Sequence, residues 1–217
     1  MFQVHKASQT LKATAEAEMD AINALTRRAL TPEEVYSFPI RLCDDQPDRD
    51  HEQFSLNCLK ALAPMFLGKP ILFDHRWSAH EQTARIYAAE LAKEGSTNYL
   101  LAKAYLLRLP ETESIIAAIE GGILKEVSVG CSLKSVTCSI CGELYYGCDH
   151  RKGQEYDGKM CVAVLDDPAD AYEASFVAVP AQPKAGVQKS AERNEMSTEA
   201  ADRAKAELRL ENLRFGG

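Results

Sequence analysis

Four side chains that commonly bind metals lie close together near the middle of the chain, in the sequence C-S-I-C-G-E-L-Y-Y-G-C-D-H. Cys138 and Cys141 form a CxxC pair, and Cys148 and His150 form a CxH pair six residues further on. Two thiols with two residues between them reach the same ion when a tight turn brings their sulfurs together. Three thiolates and one imidazole make the tetrahedral four-ligand set that zinc prefers. The sequence therefore predicts that a zinc knuckle fixes the fold of this segment.

The predicted zinc is structural, because four protein ligands leave no coordination position open for water or substrate. A disulfide, or cysteines that stay free, is the alternative interpretation of the same pattern. His150 is the weakest member of the set, since the adjacent Asp149 suits an outer position that accepts a hydrogen bond from a ligand. Cys131 and Cys161 are candidate substitute ligands, or else buried apolar side chains.

The composition is that of a globular protein and excludes several functional classes. The 217 residues are 46% hydrophobic and 26% charged, which suits one domain with appendages. The formal net charge of -7 argues against direct nucleic-acid binding, which usually needs a basic surface. No apolar run approaches the ~18 residues of a membrane helix, and the N-terminus has no signal-peptide pattern. We therefore expect an intracellular protein, in which seven cysteines indicate metal binding rather than disulfides.

Several segments have the aromatic, β-branched or alternating pattern that is typical of strands. These segments cover residues 35–43, 70–75, 83–91, 98–108, 124–136, 160–167 and 171–181. Two helices are predicted, one at residues 52–67, with the acids at 48–52 at its start, and one at residues 111–120. Consecutive strands with few helices between them predict an α+β fold, in which a mostly antiparallel sheet of about seven strands closes or packs around one core.

The chain divides into three predicted parts. Residues 1–30 are rich in alanine and charge but have few large apolar anchors, which predicts a loosely attached helical segment. Residues 31–186 hold the strands and form the main domain, with the Cys/His insert at residues 136–153. Residues 187–217 balance acidic against basic side chains and predict a charged helical tail, which is marginally stable alone and is either solvated or ordered by a partner.

Three further residues lie where the strand pattern makes them candidates for chemistry. In E-V-S-V-G, alternation puts Ser128 and Gly130 on the face opposite the core, where a hydroxyl beside a glycine is open to an extended substrate. His75 follows the segment P-I-L-F-D, and histidine is the side chain most often used as a general base. Glu173 begins an otherwise apolar strand, where a carboxylate needs a partner such as a histidine. Each of these residues alone is more often an ordinary surface side chain.

Together, three segments resemble the prohead maturation protease family of tailed bacteriophages, which is related to the herpesvirus assemblins. The segments are GKPILFDH at residues 68–75, AIEGGILKEVSVG at 118–130 and YEASFVAVPAQPKA at 172–185. The resemblance covers roughly residues 35–186, and the E-x-S-x-V-x-x-P-A pattern is its most specific part. It implies an assemblin-like β-barrel with flanking helices. It also implies a serine endopeptidase with Ser128 as nucleophile, His75 as general base and Glu173 as the third member, where the herpesvirus relatives have a second histidine.

The resemblance also implies partners and a location. Such an enzyme acts inside the procapsid, in the cytoplasm of the bacterial host, and trims the scaffold protein, the major coat protein and often itself. The Cys/His insert departs from the family pattern, and its place between the strands of Ser128 and Glu173 predicts a structural staple beside the active site. The sequence leaves a homo-oligomer open and predicts no contact with membranes or nucleic acid.

Two other functions remain open at this point. The first is a non-enzymatic, zinc-stapled capsid-assembly or scaffold protein, and the second is a zinc hydrolase that uses the Cys/His site. A serine mechanism requires Ser128 Oγ within hydrogen-bond reach of a ring nitrogen of His75, although such contacts are often looser without substrate. A zinc hydrolase requires an open coordination position that faces a cleft.

Overall fold

A computed structural model describes the chain from residue 16 to residue 189. The sequence predictions for residues 1–15 and for the tail beyond residue 189 lie outside this range. The helices and strands are α1 (16–23), β1 (Val35–Asp44), β2 (Glu52–Phe54), α2 (Leu56–Met65), β3 (Pro70–Phe73), β4 (Ala84–Glu94), β5 (Thr97–Leu107), α3 (Glu113–Glu120), β6 (Val127–Cys138), β7 (Glu155–Tyr156), β8 (Lys159–Met160), β9 (Ala163–Phe176) and β10 (Gly186–Val187). Single turns of 3₁₀ helix lie at Pro32–Glu34, Ala79–Glu81 and Tyr145–Gly147.

One eight-stranded sheet organises the domain. Its strands follow the order β10-β1-β5-β4-β3-β9-β2. Strands β2 and β3 pair with opposite ends of one edge of β9, and β6 pairs along the other edge. The pairs β2–β9 and β3–β9 are parallel, whereas the other ladders of this sheet are antiparallel. The α+β class and the mostly antiparallel pairing are therefore confirmed. Strands β7 and β8 form a separate small hairpin.

The sheet is not closed into a barrel, so the predicted barrel is not confirmed. An isolated bridge between Glu126 and Gly186 joins β10 to the residue before β6. Strand β10 is only two residues long, so the described chain offers β6 no further partner on that side until Leu144 bridges to Thr137. An open edge of β6 consequently begins at Ser128.

Strand β9 is continuous, although two strands were predicted in its place. The predicted break falls at residues 168–170, directly after Asp167, which has a φ of 46° in the structure. The structure absorbs these residues within the strand, where the β6–β9 register shifts between Ser132 and Leu133. An irregularity of this kind bends a strand without ending it.

The core lies between the sheet and the two helices α2 and α3. Helix α2 buries Leu59 and Leu62 completely, and burial of a leucine stabilises a fold by about 1.5–3 kcal/mol. The helix begins at Leu56 because the hydroxyl of Ser55 accepts a hydrogen bond from Cys58 N at 2.9 Å. The prediction that acids at residues 48–52 start this helix is wrong, since they precede β2 or lie in it.

The described part of the N-terminal segment packs against the domain and is not loosely attached. Ile22 is 1% exposed, and it belongs with Ala21 and Leu30 to a second apolar cluster that includes Tyr87 and Tyr105. A few well-placed apolar residues are therefore sufficient to hold this segment. None of the helices between residues 16 and 189 has the length and apolarity that crossing a membrane requires.

Candidate active site and metal centre

His75 lies in a tight turn directly after β3. Asp74 and His75 have φ angles of 52° and 54°, and Arg76 N donates to Phe73 O at 3.0 Å, as in a type I′ turn. Left-handed backbone costs a non-glycine residue about 1–2 kcal/mol, and Asp and His are among the residues that tolerate it best. Asp74 N donates to Phe176 O at 3.0 Å, which ties the turn to β9. The neighbouring strand thus fixes the direction of the imidazole.

Glu173 is the partner of that imidazole. Its Oε1 lies 2.7 Å from His75 Nδ1, and its side chain is 1% exposed, whereas the histidine side chain is 40% exposed. Ser175 donates from Oγ to Glu173 Oε2 at 2.5 Å. The carboxylate therefore has a partner on each oxygen, which is the condition for keeping a charge away from water. The predicted pairing of Glu173 with a histidine is present in the structure.

Ser175 connects the carboxylate to the turn. Its hydroxyl accepts a hydrogen bond from His75 N at 3.1 Å while it donates to Glu173, and the residue is fully buried. Both functions of the hydroxyl are therefore used, so Ser175 is not available as a nucleophile. This role of Ser175 was not predicted from the sequence. The available signal was the E-x-S spacing, which puts the two side chains on one face of a strand.

Gly130 lies directly opposite Glu173 in the β6–β9 ladder. A Cβ atom on Gly130 would overlap Glu173 Oε1, with the carboxyl carbon also in close contact. The missing side chain at this position therefore makes room for the buried carboxylate. The sequence pattern suggests an open approach for a substrate beside this glycine, which is a different reason for the same residue.

Ser128 lies opposite Ser175 in the same ladder and is half-buried. Directly paired residues point to the same face of a sheet, with Cβ atoms about 4.5–5.5 Å apart. Ser128 thus shares its face of the sheet with Glu173, which contacts His75. No hydrogen bond joins Ser128 to His75 in the chain from residue 16 to residue 189. The structure brings His75 and Glu173 into contact and puts Ser128 on the adjoining strand.

A cavity of about 240 Å³ adjoins Ser128. Its lining includes the first residues of β6, the loop that leads into β2, and the segment before β10. These residues are Leu42, Asp48, Glu52, Phe54, Ser128, Val129, Gly130, Cys131, Leu133, Leu165, Ala181, Gln182 and Ala185. A concave site of this kind beside a hydroxyl is a place where part of a substrate can be held.

The Cys/His insert gathers the four predicted ligands. The ligand atoms of Cys138, Cys141, Cys148 and His150 all lie within 4.8 Å of one another. Zn–S bonds of ~2.3 Å in a tetrahedral shell separate the sulfurs by about 3.8 Å, so a small contraction is sufficient for coordination. Gly142, with a φ of 76°, turns the chain back after the CxxC pair, and its N–H donates to Cys138 O at 2.8 Å. The chain forms a knuckle here.

Two observations show that this cluster fits a metal ion. His150 Nδ1 is buried and has no hydrogen-bond partner, as expected for a nitrogen that serves as a ligand. Desolvation disfavours the thiolate of Cys138, but the backbone amides of Cys141 and Ile140 and the neighbouring thiols outweigh it and lower the pKa of Cys138 to about 6. Metals bind the thiolate form of cysteine. The donor set could thus hold a metal ion.

The two candidate substitute ligands occupy different positions. Cys161 Sγ lies 3.7 Å from Cys138 Sγ, and burial raises the pKa of Cys161 to about 11. It packs against the cluster from the strand side. Cys131 lies in the wall of the cavity, and desolvation raises its pKa to about 11. His150, and not Cys131, belongs to the set of four.

The metal cluster lies away from Ser128, contrary to the prediction of a staple beside the active site. Ser128 pairs near one end of the β6–β9 ladder and Cys138 pairs at the other, which corresponds to roughly 30 Å of strand. The insert nevertheless contacts the cavity wall. Lys152 Nζ lies 2.6 Å from Glu52 Oε1, and Glu52 lines the cavity. This ion pair therefore links the insert to the wall of the cavity, although the metal ligands lie far from Ser128.

Comparisons with family models, with curated proteins and with solved structures found no match to this chain.

Proposed function

We propose that this chain is a serine endopeptidase in which Ser128 is the nucleophile, His75 the general base and Glu173 the residue that orients the base. The observation that carries the proposal is the 2.7 Å contact between His75 Nδ1 and the buried carboxylate of Glu173. A carboxylate on Nδ1 holds the proton there and leaves Nε2 free to accept a proton from a hydroxyl. It also stabilises the imidazolium that forms when that proton is transferred.

The reaction follows from these positions. His75 Nε2 takes the proton of Ser128 Oγ while the oxygen attacks the scissile carbonyl, and the imidazolium then gives that proton to the leaving amine. Water, deprotonated by the same nitrogen, releases the acyl group from Ser128. The lack of a hydrogen bond between Ser128 and His75 in the described residues is compatible with this reaction, because catalytic hydrogen bonds are often long until substrate binds.

The surroundings of Ser128 suit an extended peptide. Within residues 16–189, strand β6 is paired on its β9 side only from Ser128 until the bridge at Thr137. An unpaired strand edge offers N–H and C=O groups to a peptide that adds as a further strand. The cavity at Ser128 would then receive one side chain of that peptide. Both features support a protein substrate over a small ester.

The resemblance to prohead proteases supplies the biological setting of the proposal. In this setting the enzyme acts inside a phage procapsid in the bacterial cytoplasm and cleaves scaffold protein, major coat protein and itself. The open eight-stranded sheet would be a variant of the assemblin barrel, in which β10 is too short to close the gap between β1 and β6. Zinc bound by Cys138, Cys141, Cys148 and His150 would fold the insert and take no part in cleavage.

A non-enzymatic, zinc-stapled capsid-assembly protein is the second candidate function. The observation in its favour is that Ser128 and His75 make no hydrogen bond to each other in the described chain. A zinc hydrolase has less support, because the four ligand atoms already complete a tetrahedral set.

Labelling with a fluorophosphonate, which reacts with activated serines, separates the two candidates. We expect the parent chain to be labelled at Ser128, as located by mass spectrometry of tryptic peptides, and to cleave itself and a co-expressed coat protein. Ser128→Ala should abolish labelling and cleavage, and Glu173→Gln should reduce both. Ser132→Ala, four residues along the same strand, is the matched control and should behave like the parent. Equal processing by the parent and by Ser128→Ala would eliminate the serine mechanism.

A further inference from the structure

The cavity beside Ser128 has an apolar interior. Leu42, Phe54 and Leu165 contribute buried side chains to its walls, and Leu133 adds another apolar side chain from β6. Its volume of about 240 Å³ is below the ~300–1,000 Å³ of sites that hold drug-sized ligands. The space therefore suits one long side chain and not a whole small molecule.

Two carboxylates line this apolar space, and they differ in how they are neutralised. Glu52 forms an ion pair with Lys152, with 2.6 Å between Oε1 and Nζ. Asp48 makes no salt bridge to any residue between 16 and 189. Its Oδ1 accepts hydrogen bonds from the N–H groups of Asp50 at 2.9 Å and Glu52 at 2.8 Å, which hold the side chain in place. Among the described residues, no cation pairs with the negative charge that Asp48 adds to the lining.

The walls that carry this charge are fixed before any ligand arrives. Arg49 N donates to Ala181 O at 3.1 Å, and the Arg49 guanidinium donates to Pro180 O. Asp44 N donates to Gln182 Oε1 at 2.8 Å, which joins the segment before β10 to the end of β1. A preformed cavity loses little freedom when it binds a side chain, so its lining is able to discriminate between side chains.

We propose that this cavity is a specificity pocket that takes a lysine or arginine side chain of the substrate, with Asp48 as the specificity-determining residue. The inference rests on the proposed endopeptidase and names its substrate class. The methylene stem of Lys or Arg packs against the apolar walls while the cationic head reaches the carboxylate. A neutral apolar side chain fills the same space but leaves Asp48 desolvated and without a cation, and an acidic side chain is repelled.

The electrostatics of Asp48 agree with this assignment. Burial, followed by the nearby charges of Glu52 and Asp50, raises the pKa of Asp48 although two backbone amides lower it. An ionised carboxylate in such a position is less well solvated than in water. A bound ammonium or guanidinium group would remove that disadvantage, which makes a cation the preferred occupant.

The first experiment measures cleavage of peptide pools by the full chain. Each pool fixes one residue as Lys, Arg, norleucine or Glu and randomises its neighbours, and mass spectrometry locates the cleavage sites. Norleucine has the stem of lysine without its charge. We expect kcat/KM for Lys and Arg pools to exceed that for norleucine by about 10- to 100-fold, the usual effect of one charge-assisted contact. Asp48→Asn keeps the oxygen that accepts the two loop amides and should remove this preference.

Asp50→Asn is the matched control, because it removes the same charge two residues away from Asp48, at a residue that does not line the cavity. It should keep the preference for Lys. Ser128-dependent cleavage with equal rates for Lys and norleucine, or a preference unchanged by Asp48→Asn, would overturn the pocket assignment and leave the endopeptidase intact. Absence of any Ser128-dependent cleavage would instead contradict the endopeptidase.

A second measurement tests the pocket without catalysis. p-Aminobenzamidine is a cationic amidine whose fluorescence rises when it enters an apolar site, and it can be titrated into the Ser128→Ala chain. We expect saturable binding that Asp48→Asn weakens at least about tenfold and that Asp50→Asn leaves unchanged. No saturable binding, or equal binding by the Asp48→Asn variant, would refute the pocket whether or not the protein cleaves peptides.

Discussion

Gly130→Ala is the substitution whose effect can be worked out most fully from the structure. The added Cβ would overlap Glu173 Oε1, and the Glu173 side chain is 1% exposed, so other atoms enclose it. Any displacement of the carboxylate lengthens its contact with His75 Nδ1 or with Ser175 Oγ. The substitution should therefore destabilise the fold and misplace the histidine at the same time.

The expected magnitude follows from the contacts that are lost. A hydrogen bond to a charged group contributes about 1.5–3 kcal/mol, and overpacking a core costs about 1–3 kcal/mol. Replacing glycine by alanine regains about 0.4–1 kcal/mol because the unfolded chain has less freedom. We therefore expect Gly130→Ala to lower the free energy of unfolding by about 2–4 kcal/mol. Gly147→Ala is the control, since a Cβ there meets no atom within 4 Å, and it should change this value by less than about 1 kcal/mol.

Urea denaturation of four chains tests the reasoning: the parent, Gly130→Ala, Glu173→Ala and the double variant. If the clash with the carboxylate is the cause, the cost of Gly130→Ala should nearly vanish once Glu173 is alanine. The coupling energy between the two positions should then be about 2–3 kcal/mol. A cost of Gly130→Ala that is the same in both backgrounds would refute the explanation.

Other predictions concern the serine pair, the metal centre and the cavity. Ser175→Ala should lower the free energy of unfolding by about 2–4 kcal/mol, because the buried carboxylate and the turn amide lose their shared partner. Ser128→Ala should change the same free energy by less than about 1 kcal/mol, and equal losses for both variants in urea denaturation would contradict this. The purified chain should hold one zinc ion by elemental analysis, and Cys148→Ser should lose it while Cys58→Ala keeps it; zinc retained by Cys148→Ser would exclude the predicted ligand set. Because burial raises the pKa of Asp48 above its ordinary 3.8, the folded state holds this proton more tightly than the unfolded state, so the contribution of Asp48 to stability is lost as the pH rises above about 4. The unfolding midpoint of Asp48→Asn should therefore gain on that of the parent as the pH is raised through this region, and parallel pH profiles of the two chains would count against it.

The sequence was most informative where a strong local pattern agreed with the fold. Alternation in β6 predicted that Ser128 and Gly130 share a face, and the ladder shows them paired with Ser175 and Glu173 of β9. The metal ligands were predictable for a similar reason, because a CxxC and a CxH pair are local motifs whose members meet within one turn or hairpin. Such patterns require no knowledge of distant parts of the chain.

Features that depend on pairing between distant segments were not predictable in the same way. The sequence does not show that β3 runs parallel to β9, and this pairing is what carries His75 to Glu173. The role of Ser175 was not predictable, since its contact with the turn after β3 exists only once the strands are adjacent. The register shift beside Pro168 was likewise not predicted, because turns and bulges use the same residue types.

The way the insert leaves the sheet has a consequence for protein engineering. Cys138 and Ala163 are direct partners in the ladder, so the chain departs and returns at neighbouring positions of two antiparallel strands. Two strands that end side by side can be joined by a two-residue hairpin turn. One step further, Ser139 N donates to Val162 O at 3.0 Å, and such a hydrogen-bonded pair is the one that a two-residue turn closes. A shortened chain with Asn-Gly in place of residues 140–161 should therefore keep the distal part of the sheet that carries His75, Ser128 and Glu173. The same junction offers a site for inserting a foreign domain into the scaffold.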